Sequence, residues 1–270
     1  MKLQLSEIYI YPIKSLGGIS IKEAKLEQRG LQYDRKWLLI DENGTFITQR
    51  KHYNLAMLQV AMDADTITVS HKTDLSQKIS FPKFESTSQR IQVRIWDDTS
   101  SGFEVNAKVS DWFSVFLNMK VKLVGMADDD QRLVDPEYAL NSEIVSFADA
   151  YPCLIIGQAA LDFLNEKLAD PVPMNRFRPN FVFTGGEPHI EDRFGEFYLG
   201  ENLFQAANQC ARCVLTTVDQ ETGIKGQEPL RTLTSYRTVN KKVMFGQNLL
   251  HKGPGTMKVG DELIVKSWKA

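Results

Sequence analysis

The stretch Gln89-Arg-Ile-Gln-Val-Arg-Ile-Trp alternates polar and apolar side chains with a period of two. An extended strand with one buried face satisfies that period, because successive side chains of a strand leave on opposite sides. Asp65-Thr-Ile-Thr-Val-Ser repeats the pattern with β-branched residues, and Ile8 to Ile10 and Lys36 to Asp41 are short apolar runs. Asp41-Glu-Asn-Gly before Thr45-Phe-Ile-Thr is a hairpin signal, since Asn-Gly tolerates the positive φ angles of a two-residue turn. The first hundred residues therefore predict a β-barrel or a strongly bent sheet.

Helical periodicity appears next. Val109, Trp112, Phe113, Phe116 and Leu117 form one apolar stripe, which predicts an amphipathic helix packed on that sheet. The polar, proline-interrupted run Asp128-Asp-Asp-Gln-Arg-Leu-Val-Asp-Pro reads as a surface loop near a division between halves. Beyond it, Tyr151 to Ile156 reads as a buried strand and Gln158 to Leu168 as a helix burying Ala160, Leu161, Leu164 and Leu168. Strands are expected at 180–184, 196–199 and 214–218. Thr256 to Val265 is expected as a strand pair around a turn that lets the terminus close a barrel.

Charge excludes two classes of partner. Lys and Arg total 32 against 34 for Asp and Glu, a net charge of -2, so no global field draws the chain to nucleic acid or to an anionic membrane surface. A bound anion must be held by locally placed groups. The longest apolar runs, such as Cys153-Leu-Ile-Ile, fall short of a membrane span, and the start carries no leader signal. Three cysteines suit a reducing compartment, so a soluble, cytoplasmic protein is expected.

Two of those cysteines, Cys210 and Cys213, stand in a C-x-x-C spacing. Zinc needs about four ligands, and His52, His71, His189 and His251 are scattered singly. A thioredoxin-like pair needs the start of a helix, whereas Val214-Leu-Thr-Thr-Val is strand-like. An incidental pair of thiols stays open. Basic residues surround the question: Lys14 and Ser15 in Tyr11-Pro-Ile-Lys-Ser-Leu-Gly-Gly, Arg35 in Tyr33-Asp-Arg-Lys-Trp, and Arg178 in Asn175-Arg-Phe-Arg-Pro-Asn. Backbone N–H groups near the glycines and planar guanidinium forks both suit an oxyanion such as phosphate. The glycines follow the lysine, so this is no Walker motif.

The motifs YPIKSLGG, GLQYDRKWLLID, NRFRPNFVFTGG, CARCVLTTVDQETG, and FGQN with GPGTMKVGDELIV occur in this order along nearly the whole chain. Together they resemble the MOSC proteins, in particular the branch with the mitochondrial amidoxime-reducing component and its bacterial relatives. The resemblance implies an α+β, mainly β fold: an N-terminal β-barrel-like domain, 1–122, packed on a C-terminal MOSC β-barrel, 123–270, with a few flanking helices. It implies molybdenum cofactor (Mo-molybdopterin) between them, with Cys213 as metal ligand and Cys210 as its neighbour. Lys14, Ser15, Arg35, Arg178, Asn180 and Arg212 map onto residues gripping the pterin phosphate and nearby atoms. Asp149, Ala150 and Tyr151 map onto a cofactor-contacting loop, Ala150 and Tyr151 standing where relatives carry small hydroxyl residues. One soft thiolate suffices for a metal already held by a dithiolene.

The implied activity is that of a molybdenum-dependent oxidoreductase reducing a small N-hydroxylated substrate. No cysteine follows Cys213 to build a [2Fe–2S] cluster, so a separate donor protein is expected, of the ferredoxin/flavin reductase or cytochrome type. The relatives' membrane anchor is not seen either, and neither a membrane nor nucleic acid is expected as partner. An alternative from another class is a cofactor carrier or sulfur-handling module. MOSC domains also occur fused to the pyridoxal-phosphate domain of molybdenum cofactor sulfurases, so pyridoxal phosphate binding is a family-level term. Asp219 and Glu221 follow Cys213 closely enough to be candidate proton donors.

Overall fold

A computed structural model describes residues 2–139 and 141–269. Its larger sheet closes on itself. Strand Leu3–Ile10 pairs on one side with Phe181–Thr184 and on the other with Glu262–Val265. From Glu262–Val265 the ring continues through Glu196–Leu199, Asn202–Arg212 and Lys242–His251 to Cys153–Gly157, which returns to Phe181–Thr184. The result is a seven-stranded barrel, a shape that leaves no unpaired edge. Its parallel pair, Cys153–Gly157 with Phe181–Thr184, is connected through helix Gln158–Asn165. Phe181, Phe183, Phe194, Phe197 and Phe204 fill the core. The first strand of the chain is thus built into a barrel whose other strands all follow residue 150.

The remaining strands form smaller sheets. Trp37–Ile40, Lys122–Met126, Asp98–Glu104 and Arg90–Ile95 make one, and Leu58–Met62, Thr66–His71 and Lys78–Pro82 another. The alternating stretch does bury Val93 and Ile95 and expose Arg90, Gln92 and Arg94. Helix Ala107–Leu117, capped by the Asn106 side chain, lays Val109 and Phe113 on a core shared with Trp37, Leu39, Val69 and Phe81. The α+β, mainly β expectation holds.

Several local expectations do not. Within Asn-Gly only Gly44 has positive φ, at 73°. The Asp41 carboxylate accepts from the N–H groups of Asn43 and Thr45, each at 2.9 Å, and pairing stops after the single bridge Ile40 to Phe46. The strand expected at 214–218 is instead a short 3-10 helix, Val214–Thr217. The hydroxyls of Thr216 and Thr217 bond back to the carbonyls of Cys213 and Val214, at 3.0 and 2.8 Å, a local alternative that overrides β-propensity. The helix expected to Leu168 ends at Asn165, whose side-chain amide bonds both backbone groups of Val172. Thr256 to Val265 does contain two strands, but they enter different sheets. Gly255–Lys258 pairs with Glu23–Glu27 while Glu262–Val265 closes the barrel.

Candidate cofactor site

Strand Asn202–Arg212 delivers Cys210 and Arg212 to one end of the barrel, and Cys213 leads into the following 3-10 turn. Beside them lies a cavity of about 630 Å³. Cys213, Lys14, Ser15, Arg35, Asp149, Ala150, Tyr151, Arg178, Asn180 and Arg212 all line it. None of the four histidines does, nor do Asp219 and Glu221. Asp219 instead pairs with Arg176 at 2.7 Å and Glu221 with Lys72 at 3.0 Å. The acidic run 128–130 is likewise structural: Lys36 pairs with Asp128, Arg90 with Asp129, and Ser100 and Ser101 donate to Asp130.

The lining is strongly cationic. Lys14, Arg35, Arg50, Arg178, Arg212 and Lys242 stand against a single carboxylate, Asp149, in a chain whose net charge is -2. A concave surface of one sign concentrates ions of the other. Lys14 is buried, with Nζ donating to the Phe147 carbonyl at 2.7 Å and to Asp149 Oδ1 at 2.6 Å. Burial pulls its pKa down to about 8, with Asp149 opposing the shift. Burial would raise Asp149, but Lys14 and Arg50 outweigh it and hold that carboxyl well below the usual range.

Arg35 and Arg178 both lie over the ring of Tyr11, their guanidinium carbons 4.3 and 4.2 Å from its centroid. Arg35 donates to Asp34, to Asn180 Oδ1 at 3.2 Å and to the Arg178 carbonyl at 3.2 Å. Burial disfavours its charge, yet Asp34 and Tyr11 leave the pKa raised. Arg178 donates to the Leu16 carbonyl at 2.7 Å and, among the described residues, has no carboxylate at ion-pair distance. Burial takes it down to about 10, so it is cationic at neutral pH. A buried cation lacking its counter-ion is costly and is positioned to accept an anion from outside the chain.

Backbone strain collects here too. Ser15, Arg35 and Arg178 have φ of 73°, 49° and 54°, a left-handed conformation costing non-glycine residues about 1 kcal/mol or more each. Such strain clusters at ligand sites. Asn180 serves differently: Oδ1 accepts from Leu154 N at 3.2 Å and Nδ2 donates to the Tyr9 carbonyl at 3.2 Å, so its amide brackets the barrel strands.

Four further residues shape the site, and of these only Asn248, in FGQN, falls within one of the quoted motifs. Arg132 donates to the carbonyls of Ser146, Ala148 and Asp149 at 2.8, 2.6 and 2.8 Å and pins that loop against Lys14. Arg50 Nε donates to Cys213 Sγ at 3.1 Å while its NH2 reaches Asp149 Oδ2 at 2.6 Å. Along another wall, Asn248 donates to Asn208 Oδ1 at 2.8 Å and Asn208 to the Tyr151 hydroxyl at 2.7 Å.

The two sulfurs of the C-x-x-C are free thiols held by different guanidiniums. Arg212 NH1 donates to Cys210 Sγ at 3.0 Å, its NH2 donates to the Phe177 carbonyl, and its buried Nε has no partner among the described residues. The third thiol, Cys153, is buried, and burial pushes its pKa up. Among the described residues no three His, Cys, Asp or Glu side chains converge as a metal-binding group. A metal here would take most of its ligands from a non-protein group. Cys153 and Cys210 line the cavity beside Cys213, and soft sulfur next to clustered cations fits an anionic, metal-bearing cofactor.

Residues 2–120 match the MOSC N-terminal beta barrel domain, and residues 142–264 match the MOSC domain. The chain belongs to the MOSC family. It is 34% identical to mitochondrial amidoxime-reducing component 1 of Mus musculus, over 95% of this chain and 80% of that protein. The Homo sapiens counterpart is 31% identical over 95% and 81%. A molybdenum cofactor sulfurase of Oryza sativa subsp. japonica is 30% identical over 98% of this chain, which spans 34% of that protein. The MOSC N-terminal match supplies Lys14, Ser15, Arg35 and Arg50, and the MOSC match supplies the rest of the cationic lining and Cys213. Among the described residues no helix is long and apolar enough to cross a membrane.

Proposed function

We propose that this MOSC protein is a molybdenum cofactor-dependent oxidoreductase that reduces small N-hydroxylated compounds. The observation that carries the reading is soft cysteine sulfur, of which we assign Cys213 as the ligand, at a cavity whose cations come from both family matches. The amidoxime-reducing relatives support the reaction class. When bound, the cofactor supplies the two-electron chemistry that removes oxygen from nitrogen. In balance, an N–OH group plus two electrons and two protons becomes N–H and water.

The chain's own residues bind and orient. Cys213 gives the protein ligand to the metal. Lys14, Arg35 and Arg178 would counter the cofactor's phosphate, and Ser15, Asn180 and Arg212 would help to hold it. Asp149 keeps Lys14 and Arg50 apart and aimed, Ala150 and Tyr151 form the adjoining wall, and Asn180 fixes Arg35. In this reading residues 1–122 and 123–270 are the two jaws of one clamp, with strand Leu3–Ile10 crossing from the first into the barrel of the second. Electrons arrive from a separate ferredoxin-, flavin- or cytochrome-type donor. Three free thiols go with a reducing, cytoplasmic setting.

The likeness to molybdenum cofactor sulfurases favours a second reading, a cofactor carrier or sulfur-handling module without turnover. One experiment separates them. Protein produced with ample molybdate is analysed for molybdenum and pterin, then reduced chemically and given benzamidoxime. Stoichiometric metal with conversion to benzamidine is the expected result. Metal without turnover leaves the carrier, and no metal ends both.

A further inference from the structure

Arg50 belongs to no motif, yet its guanidinium is held on several sides. Its NH2 donates to Asp149 Oδ2 at 2.6 Å, and its NH1 donates to Thr48 Oγ1 at 3.3 Å. Its plane lies 4.7 Å from the Trp96 ring centroid. Trp96 is braced in turn by an edge-to-face contact with Phe46 at 4.9 Å and by an Nε1 bond to Asp149 Oδ1 at 3.4 Å. With the fork so fixed, Nε–H points at Cys213 Sγ from 3.1 Å. No other donor among the described residues reaches that sulfur. The donor and the sulfur are 163 residues apart in the chain, so the bond forms only once both jaws are folded together.

We propose that Arg50 is the positioning residue for the Cys213 sulfur and, through it, sets the potential of the metal that sulfur holds. The inference rests on the reading above. A hydrogen bond to a metal-bound thiolate withdraws electron density from sulfur and weakens it as a donor, which favours the reduced metal. A fixed positive charge at the same place acts in the same direction. Arg50 therefore eases the entry of electrons from a donor. The Cys210 sulfur is held by Arg212 and takes no part in this arrangement.

The test is a potentiometric titration of the cofactor-loaded protein, followed by the molybdenum resonance. In Arg50→Ala the reduced-to-oxidised ratio at a fixed potential is expected to fall about tenfold, equivalent to about 59 mV for a one-electron step. Arg50→Lys keeps the charge without the directed N–H and shows a smaller fall. Trp96→Leu, which loosens the fork, shows the smallest. A merely structural role for Arg50 predicts altered stability with an unmoved potential, and that outcome overturns the proposal. A variant that loads no metal is read in the cofactor-free state by crystallography. One Cys213 rotamer in the parent and several in Arg50→Ala support the proposal, whereas the same single rotamer in both overturns it. Absence of molybdenum from the parent protein itself refutes the proposed function, and the rotamer comparison still decides the positioning claim.

Discussion

The cation-lined cavity and the buried cluster around Glu191 both hold ionisable groups away from water. The first lies beside the end of strand Asn202–Arg212 and the second behind the end of strand Cys153–Gly157. In the cavity Lys14 meets a carbonyl and a carboxylate, and Arg35 meets a carboxylate, an amide and a carbonyl. In the cluster Glu191 is 0% exposed, with Oε1 accepting from Gly157 N at 3.1 Å and Oε2 without a partner among the described residues. Among the described residues neither ring nitrogen of the neighbouring His189 has a partner, nor does the Tyr236 hydroxyl. Burial pushes Glu191 up to about 7 and His189 down to about 4. Desolvation acts in both places, but only the cavity supplies the partners that keep its groups charged. A field for a ligand survives there, while the Glu191 cluster drifts toward neutrality.

The sharpest break of this contrast is functional. Cys213→Ala is expected to lower N–O reduction to background, because it removes the proposed protein ligand of the metal. Cys210→Ala keeps molybdenum, and Glu191→Gln keeps both metal and turnover. Metal analysis and benzamidoxime turnover on the three variants check the order. Equal loss in the two cysteine variants would refute the assignment of Cys213.

A second effect belongs to stability. The folded pKa of Glu191 lies above the usual 4.5, so its favourable contribution is complete below about 4.5 and is lost as pH rises through about 7. The full loss is on the order of 3 kcal/mol, at about 1.4 kcal/mol per unit. Glu191→Gln imitates the protonated form. Urea unfolding of the cofactor-free variant should show a gain of that order at pH 8.5 and almost none near pH 4. A gain independent of pH would mean the carboxyl is not the buried acid described.

The two regions also differ in how openly the sequence displays them. Lys14, Ser15, Arg35 and Arg178 sit in short motifs with prolines, glycines and strand ends around them, and the structure gathers all four at one cavity. Arg50 sits in an unremarked Ile47-Thr-Gln-Arg run, and its value depends on a contact made across the fold. Glu191 reads as part of a polar loop, Glu187-Pro-His-Ile-Glu-Asp-Arg, because no local pattern announces that a carboxylate will be sealed. Strands Asn202–Arg212 and Lys242–His251 escaped period-two reading for a related reason. Asn208, Gln209 and Asn248 turn polar side chains to the cavity, and the pairing shifts register between Ala206 and Ala211. The helical period of Ala107–Leu117 survived because one face packs on a single core.

The smallest effect follows from Lys14. Burial lowers its pKa from 10.5 to about 8 against the pull of Asp149. A base whose folded value is depressed contributes stability above its unfolded value and loses it as pH falls through the folded one. Stability of the cofactor-free protein should therefore rise between about pH 8 and 10.5 as Lys14 discharges. Anion binding runs the other way, since the discharged amine no longer attracts phosphate. Calorimetric titration with inorganic phosphate, a dianion across this range, should show affinity falling severalfold from pH 8 to 10. Lys14→Arg remains cationic throughout and should flatten that dependence. Because burial also lowers Arg178, to about 10, opposite slopes are assigned to this amine by their flattening in Lys14→Arg. Parallel slopes would place the phosphate elsewhere among the cations and leave Lys14 as a tether for the Asp149 loop.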